Sequence, residues 1–214
     1  MISWRDIDTV LLDMDGTLLD LHYDNYFWQS YLPQRYADIH GISLAEARQV
    51  VTHHSDDTQG TLNWYCLDYW SAVLGLDIVR LKKEVQHKIK ERPRSTTFLD
   101  FLSDKGKTVV LVTNAHPDTL ALKLSLTSIG SRFDSIVSSH QFQWPKESQT
   151  FWQMLQRHLT FNPQRTLFID DSVPILKAAE KFGIKHVMAV HQPDSQMARI
   201  VEDMPAFHNF DELM

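Results

Sequence analysis

A chain of 214 residues, 43% hydrophobic and 22% charged, suits one domain, or a domain with a modest insertion, that buries its own core. Its single cysteine, Cys66, excludes an internal disulfide framework and a zinc cluster built from cysteines. The formal net charge of −6 argues against a nucleic acid polymer as partner. The longest apolar runs, such as 109–112, are too short to cross a bilayer, and the first six residues meet acidic charge before an apolar core develops. No signal peptide, no membrane association and a cytoplasmic address are therefore expected.

The first predicted strand is Val10-Leu11-Leu12, and Asp13-Met14-Asp15-Gly16-Thr17-Leu18 follows it directly. From 21 to 92 the chain carries helical patterns, at 44–51, 62–74 and 81–89. They predict an all-helical insertion that returns at Arg92-Pro93-Arg94-Ser95. The basic group Arg80, Lys82, Lys83, Lys88, Lys90, Arg92 and Arg94 reads as a solvated helix face and its exit. A second strand at 109–112 ends in Thr113-Asn114, and a helix at 119–129 leads to a weaker strand at 135–138. Lys146 precedes a helix at 147–159. A strand at 166–169 runs into Asp170-Asp171-Ser172, then a helix at 173–182 and a last strand at 186–190. Continuous apolar runs, rather than alternating ones, mark strands buried on both faces. Strands alternating with helices predict a parallel sheet with right-handed crossovers, and such sheets bind ligands beyond the carboxyl ends of their strands.

A lone aspartate after a strand is usually a turn former or helix cap. Here Asp13, Asp15, Asp170 and Asp171 share the predicted ligand end with the Thr113 hydroxyl, the Asn114 amide and Lys146. Four carboxylates at one place repel and desolvate badly without a cation, and hard oxygen donors of this kind favour Mg2+. Other groups have plainer readings. His53-His54-Ser55-Asp56-Asp57 reads as polar cap surface or pocket rim. Trp64, Tyr65, Tyr69 and Trp70 fit a cap core, and also the stacking of a purine base. Asp20 and Asp24 shape the loops into the cap, His116 is close enough to the second motif to touch a substrate, and Thr17 and Ser172 tie loops together.

The ordered set Asp13-Met14-Asp15-Gly16-Thr17, Thr113-Asn114, Lys146 and Asp170-Asp171 resembles the four motifs of the haloacid dehalogenase superfamily. The likeness spans the whole chain. Through residues 12–20, Asp24-Asn25-Tyr26-Phe27-Trp28, residues 62–70 and Thr113-Asn114-Ala115-His116-Pro117, it is most similar to the bacterial GMP/IMP nucleotidases. The resemblance implies an α/β, Rossmannoid, doubly wound parallel sheet: a core of residues 1–20 and 93–214, and a helical class I cap of residues 21–92. It further implies a Mg2+-dependent phosphomonoesterase whose partner is a small phosphate ester, a purine mononucleotide such as IMP or GMP. Asp13 would be the nucleophile and Asp15 the acid and base. Asp13, the Asp15 backbone carbonyl and Asp171 would hold the metal, with Asp170 a further ligand or behind it, and Thr113, Asn114 and Lys146 would hold the phosphate oxygens. Asp15 separates phosphatase from dehalogenase, because halide leaves without a proton and an alkoxide does not. In the third motif proline precedes lysine (Pro145-Lys146), where many members have the reverse. A sugar-phosphate phosphatase or phosphomutase shares these motifs, and a receiver-type phospho-accepting module shares the Asp, Thr and Lys.

Overall fold

The computed structural model describes residues 2–214. In chain order the elements are β1 (Thr9–Leu12), α1 (His22–Tyr26), α2 (Leu32–His40), α3 (Leu44–Thr58), α4 (Leu62–Tyr65), α5 (Leu67–Leu74), α6 (Ile78–Glu84) and α7 (Ser95–Asp104). There follow β2 (Thr108–Thr113), α8 (Pro117–Leu126), β3 (Ser135–Ser138), α9 (Gln149–His158), β4 (Thr166–Asp170), α10 (Val173–Phe182), β5 (His186–Val190) and β6 (Ala206–Phe207). The strands form one sheet in the order β3-β2-β1-β4-β5-β6, every pair parallel. β1 lies between β2 and β4, where the strand order reverses, so Asp13 emerges at the crevice in which such sheets bind ligands.

Side chains alternate across the pleat into two cores. Val10, Leu12, Val109, Leu111, Leu167 and Ile169 face one side, with Phe98, Leu99 and Leu102 of α7. Leu11, Val110, Val112 and Phe168 face the other, packed by Phe151, Trp152 and Leu155 of α9 and Ile175, Leu176 and Ala179 of α10. A third cluster belongs to the inserted helices: Tyr23, Phe27, Leu32, Val51, Leu67, Trp70, Leu74, Ile78, Leu81 and Val85. α3 is started by a reciprocal cap, Ser43 accepting from the Glu46 amide at 3.2 Å and Glu46 from the Ser43 amide at 2.9 Å.

The structure differs from the sequence reading at several places. The helix predicted over 62–74 breaks at Cys66, which is extended (φ −87°, ψ 109°). No glycine or proline marks the break; a tertiary bond, Tyr65 Oη donating to Glu147 Oε1 at 2.7 Å, and a local one, Trp70 Nε1 donating to the Trp64 carbonyl at 3.0 Å, hold it. α7 and the two-residue β6 carry no sequence prediction. Lys82, read as part of a solvated face, is only 3% exposed, because its ammonium is drawn inward to Asp24 at 2.8 Å. Among the described residues no helix is long and apolar enough to cross a membrane.

Candidate active site

The loop after β1 turns back at once. The Gly16 amide donates to the Leu19 carbonyl at 2.8 Å and the Leu18 amide to that of Met14 at 3.0 Å. Gly16 has φ +83°, and a Cβ there would stand 2.7 Å from Asp171 Cγ. Only glycine allows both the left-handed backbone and this approach of the first loop to the loop after β4.

Asp13 is 5% exposed and Lys146 1%. The lysine ammonium donates to Asp13 Oδ1 at 2.6 Å, to Asp170 Oδ2 at 2.7 Å and to the Val112 carbonyl at 3.1 Å. Lys146 thus binds the ends of β1, β2 and β4 together despite its reversed order with Pro145. Asn114 shapes this loop: its Oδ1 accepts from the Lys146 amide at 2.9 Å and its Nδ2 donates to Glu147 Oε2 at 3.1 Å. Thr113 Oγ1 accepts from the Ala115 amide at 3.0 Å, which leaves the hydroxyl hydrogen for another acceptor.

Asp13, Asp170 and Asp171 each bring a carboxylate oxygen within 4.8 Å of the others. Burial pushes Asp13 up to about 6, Lys146 opposing and the Asp170 charge adding. Burial raises Asp170 too, again against Lys146. Asp171 is raised well above the carboxylate range by burial and then by the Asp170 and Asp13 charges, with Arg199 opposing. The Arg199 guanidinium stands 3.8 Å from Asp171 Oδ2 and bonds chiefly to backbone, donating to the Asp171 carbonyl at 2.6 Å and that of Val190 at 2.9 Å. Hard oxygens with more negative charge than the nearby cations balance are the donor set a small divalent cation requires. The residues fit Mg2+.

Asp15 lies on the other side of the loop, inside a second ionic chain. Lys123 Nζ donates to Asp15 Oδ1 and Asp24 Oδ2, both at 2.6 Å, and Asp24 Oδ1 takes the Lys82 ammonium at 2.8 Å. Burial pushes Asp15 up to about 6, Lys123 opposing and the Asp24 and Asp13 charges adding. The sequence reading placed Asp24 in a loop, Lys82 on the surface, and passed over Lys123. Lys123 has a faint signal, a polar position four residues after Thr119 on the inward face of α8; both are buried.

These groups floor a cavity of about 530 Å3, within the usual range for a small-molecule site (about 300–1,000 Å3). Asp13, Asp15, Asp170, Asp171, Thr113, Asn114 and Lys146 all line it. Its roof comes from the inserted helices: Trp28, Trp64 and Trp70, with Arg48, Val51, Thr52 and Ser55 along one face of α3. His116 lines it as well, whereas His53 is exposed on α3.

A parallel α/β sheet with carboxylates and a buried lysine at its switch point, roofed by helices, defines a capped enzyme that handles a small charged substrate. Comparison with known proteins gives the particular lineage. Residues 7–183 match the model of the haloacid dehalogenase-like hydrolases. The chain is 47% identical over 197 residues to the GMP/IMP nucleotidase YrfG of Escherichia coli (strain K12), covering 92% of this chain and 89% of that one. A crystal structure of a HAD phosphatase from Thermococcus onnurineus superposes with a TM-score of 0.80 at 21% identity, over 97% of this chain and 96% of that one. L-2-haloacid dehalogenase from Xanthobacter autotrophicus has the same fold, with a TM-score of 0.63 at 16% identity, over 89% and 80%. The chain belongs to the haloacid dehalogenase-like hydrolase family.

Proposed function

We propose that the protein is a Mg2+-dependent phosphomonoesterase that works through an aspartyl-phosphate on Asp13, with purine nucleoside 5′-monophosphates of the GMP and IMP kind as substrates. The observation that carries the reading is the single cavity joining the carboxylate and lysine floor to a tryptophan-bearing roof. The floor suits a phosphate and the roof a flat base. The likeness to a GMP/IMP nucleotidase over nearly the whole chain supports the same substrate class.

An Asp13 carboxylate oxygen attacks phosphorus, and the bond from phosphorus to the ester oxygen breaks. The Asp15 carboxyl gives its proton to the departing alkoxide. Water then attacks the phosphorus of the acyl phosphate, Asp15 takes the water's proton, and the bond to Asp13 breaks to release phosphate. Two anions about 4 Å apart repel by roughly 4 kcal/mol at an effective dielectric of 20. Lys146, at 2.6 Å from Asp13, offsets part of this, and the Thr113 hydroxyl donates to a phosphoryl oxygen. Mg2+ held by Asp13, Asp171 and the Asp15 carbonyl would supply the remaining positive charge. Asp170, engaged by Lys146 and by the Ser172 amide at 2.8 Å, holds the lysine in place.

The tryptophans of the roof favour a nucleotide over a bare sugar phosphate. A receiver-type module would take its phosphoryl group on an aspartate at the end of its third strand, and β3 ends in Ser138. The test is phosphate release from GMP, IMP, AMP, ribose 5-phosphate and glucose phosphates, with and without Mg2+. Release from the purine nucleotides, abolished by chelation and by Asp13→Asn, is expected. Turnover by Asp13→Asn would overturn the nucleophile, and preference for the sugar phosphates would overturn the substrate class.

A further inference from the structure

Where the cap meets the core beside the cavity, three side chains of another chemistry converge. Cys66 is the extended residue between α4 and α5, His116 precedes α8, and His140 lies in the turn after β3. One donor atom from each, a sulfur and two ring nitrogens, lies within 4.8 Å of the others. The two imidazoles meet edge to face with centroids 5.0 Å apart. Asp68, two residues beyond Cys66, brings Oδ2 to 3.6 Å from His116 Nε2. Thiolate with two imidazoles and a carboxylate is a donor set for zinc and its neighbours, not for magnesium.

A second observation points to a ligand. His140 Nε2 is buried with no hydrogen-bond partner, an unfavourable state in a finished fold. Neither Cys66 nor His140 lines the substrate cavity, and hydrolysis uses neither.

We propose that Cys66, His116 and His140, with Asp68 in reach, bind one divalent cation of the zinc type, and that the ion clamps the inserted helices to the core. Cys66 belongs to the cap and the histidines to the core, so filling the site ties the two beside the cavity that His116 lines. Zinc would then slow turnover without competing for the aspartates.

Cobalt(II) is the probe, added to the full chain in excess Mg2+ so that the carboxylate floor is already occupied. One equivalent should bind with a thiolate-to-cobalt charge-transfer band and the strong visible absorption of a tetrahedral centre. Cys66→Ser should lose the band, and both Cys66→Ser and His140→Gln should weaken binding by more than about tenfold. Circular dichroism and melting curves confirm that each variant folds, with His140→Asn as the substitute for a misfolded His140→Gln. Cobalt bound without a thiolate band, or bound by the folded His140 variant as by the parent, would overturn the site. The clamp rests on the phosphatase reading and has its own arm. Zn2+ that fills the site should slow phosphate release by about fivefold or more in the parent and leave Cys66→Ser unaffected. Equal slowing of both would overturn the clamp, whereas the cobalt spectrum needs no substrate and stands or falls alone.

Discussion

At the scale of single residues, two positions carry constraints that their chemistry alone explains. Gly16 combines φ +83° with a would-be Cβ 2.7 Å from Asp171. Gly16→Ala should destabilise the fold by roughly 1–3 kcal/mol through the backbone alone and push Asp171 out of line with Asp13. Urea unfolding reads the first effect and loss of a Mg2+-induced rise in melting temperature reads the second; a variant with parental stability would contradict the argument. Lys123 is 1% exposed and shared at 2.6 Å by Asp15 and Asp24. Removing it leaves two carboxylates facing each other in poor solvent, so Lys123→Met should cost about 3–5 kcal/mol. The pairing with Asp24 makes the loss non-additive: in a cycle with Asp24→Asn the double variant should be more stable than the summed single losses by at least about 0.5 kcal/mol. Strict additivity would mean the ionic chain does not act as a unit. Both residues illustrate how far the sequence speaks. Gly16 stands inside a motif and is seen at once. Lys123 sits among leucines on a helix whose apolar pattern conceals which polar residue faces inward.

At the scale of elements, the legible ones were those whose burial is set locally. The runs at β1, β2, β4 and β5 are apolar because both faces are covered, and α10 stands where its apolar spacing puts it. The illegible features depend on distant partners: the break at Cys66 answers to Glu147 on the core, and the inward turn of Lys82 answers to Asp24. That second contact joins α6 to α1, and through Lys123 to α8, so a single ionic chain ties cap helices to the core. Its centre, Asp24, is pushed up by burial, but Lys123 and Lys82 more than offset this and hold it at about 2. An unfolded aspartate titrates at about 3.9. Between these values the unfolded chain takes a proton that the folded one refuses. The contribution of Asp24 is therefore complete above about pH 4 and fades as the pH falls towards 2; at neutral pH it amounts to roughly 2–3 kcal/mol. The stability gap between the parent and Asp24→Asn, measured by urea unfolding at pH 6, 4 and 3, should narrow across the two acidic points. A gap independent of pH would show that the carboxylate is not held down by its lysines.

For the whole molecule, the parallel sheet and the grouping of the candidate residues at its strand ends were readable together for one reason. A doubly wound parallel sheet carries its strand ends to a common edge, so residues far apart in sequence are predicted to meet without any knowledge of side-chain packing. Packing decides the balance of charge at that edge, and this the sequence does not display. Asp13 and Asp170 share Lys146, while Asp171 meets a guanidinium committed mainly to backbone carbonyls. Without a metal the fold therefore bears one poorly compensated, partly buried carboxylate, and a divalent cation that binds only the folded state should relieve it. At a Mg2+ concentration a hundredfold above its dissociation constant, the gain is about 2.7 kcal/mol, or roughly 5–10 °C in melting temperature for a chain of this size. Asp171→Asn makes the opposite trade. It removes the charge that opposes folding and leaves the volume almost unchanged, so in chelator its melting temperature should equal or exceed the parent's, and Mg2+ should no longer raise it. Calorimetry of both proteins with chelator and with Mg2+ reads the crossover. If the variant were shifted by Mg2+ as far as the parent, the cation would be bound elsewhere, and the charge imbalance at the strand ends would need another explanation.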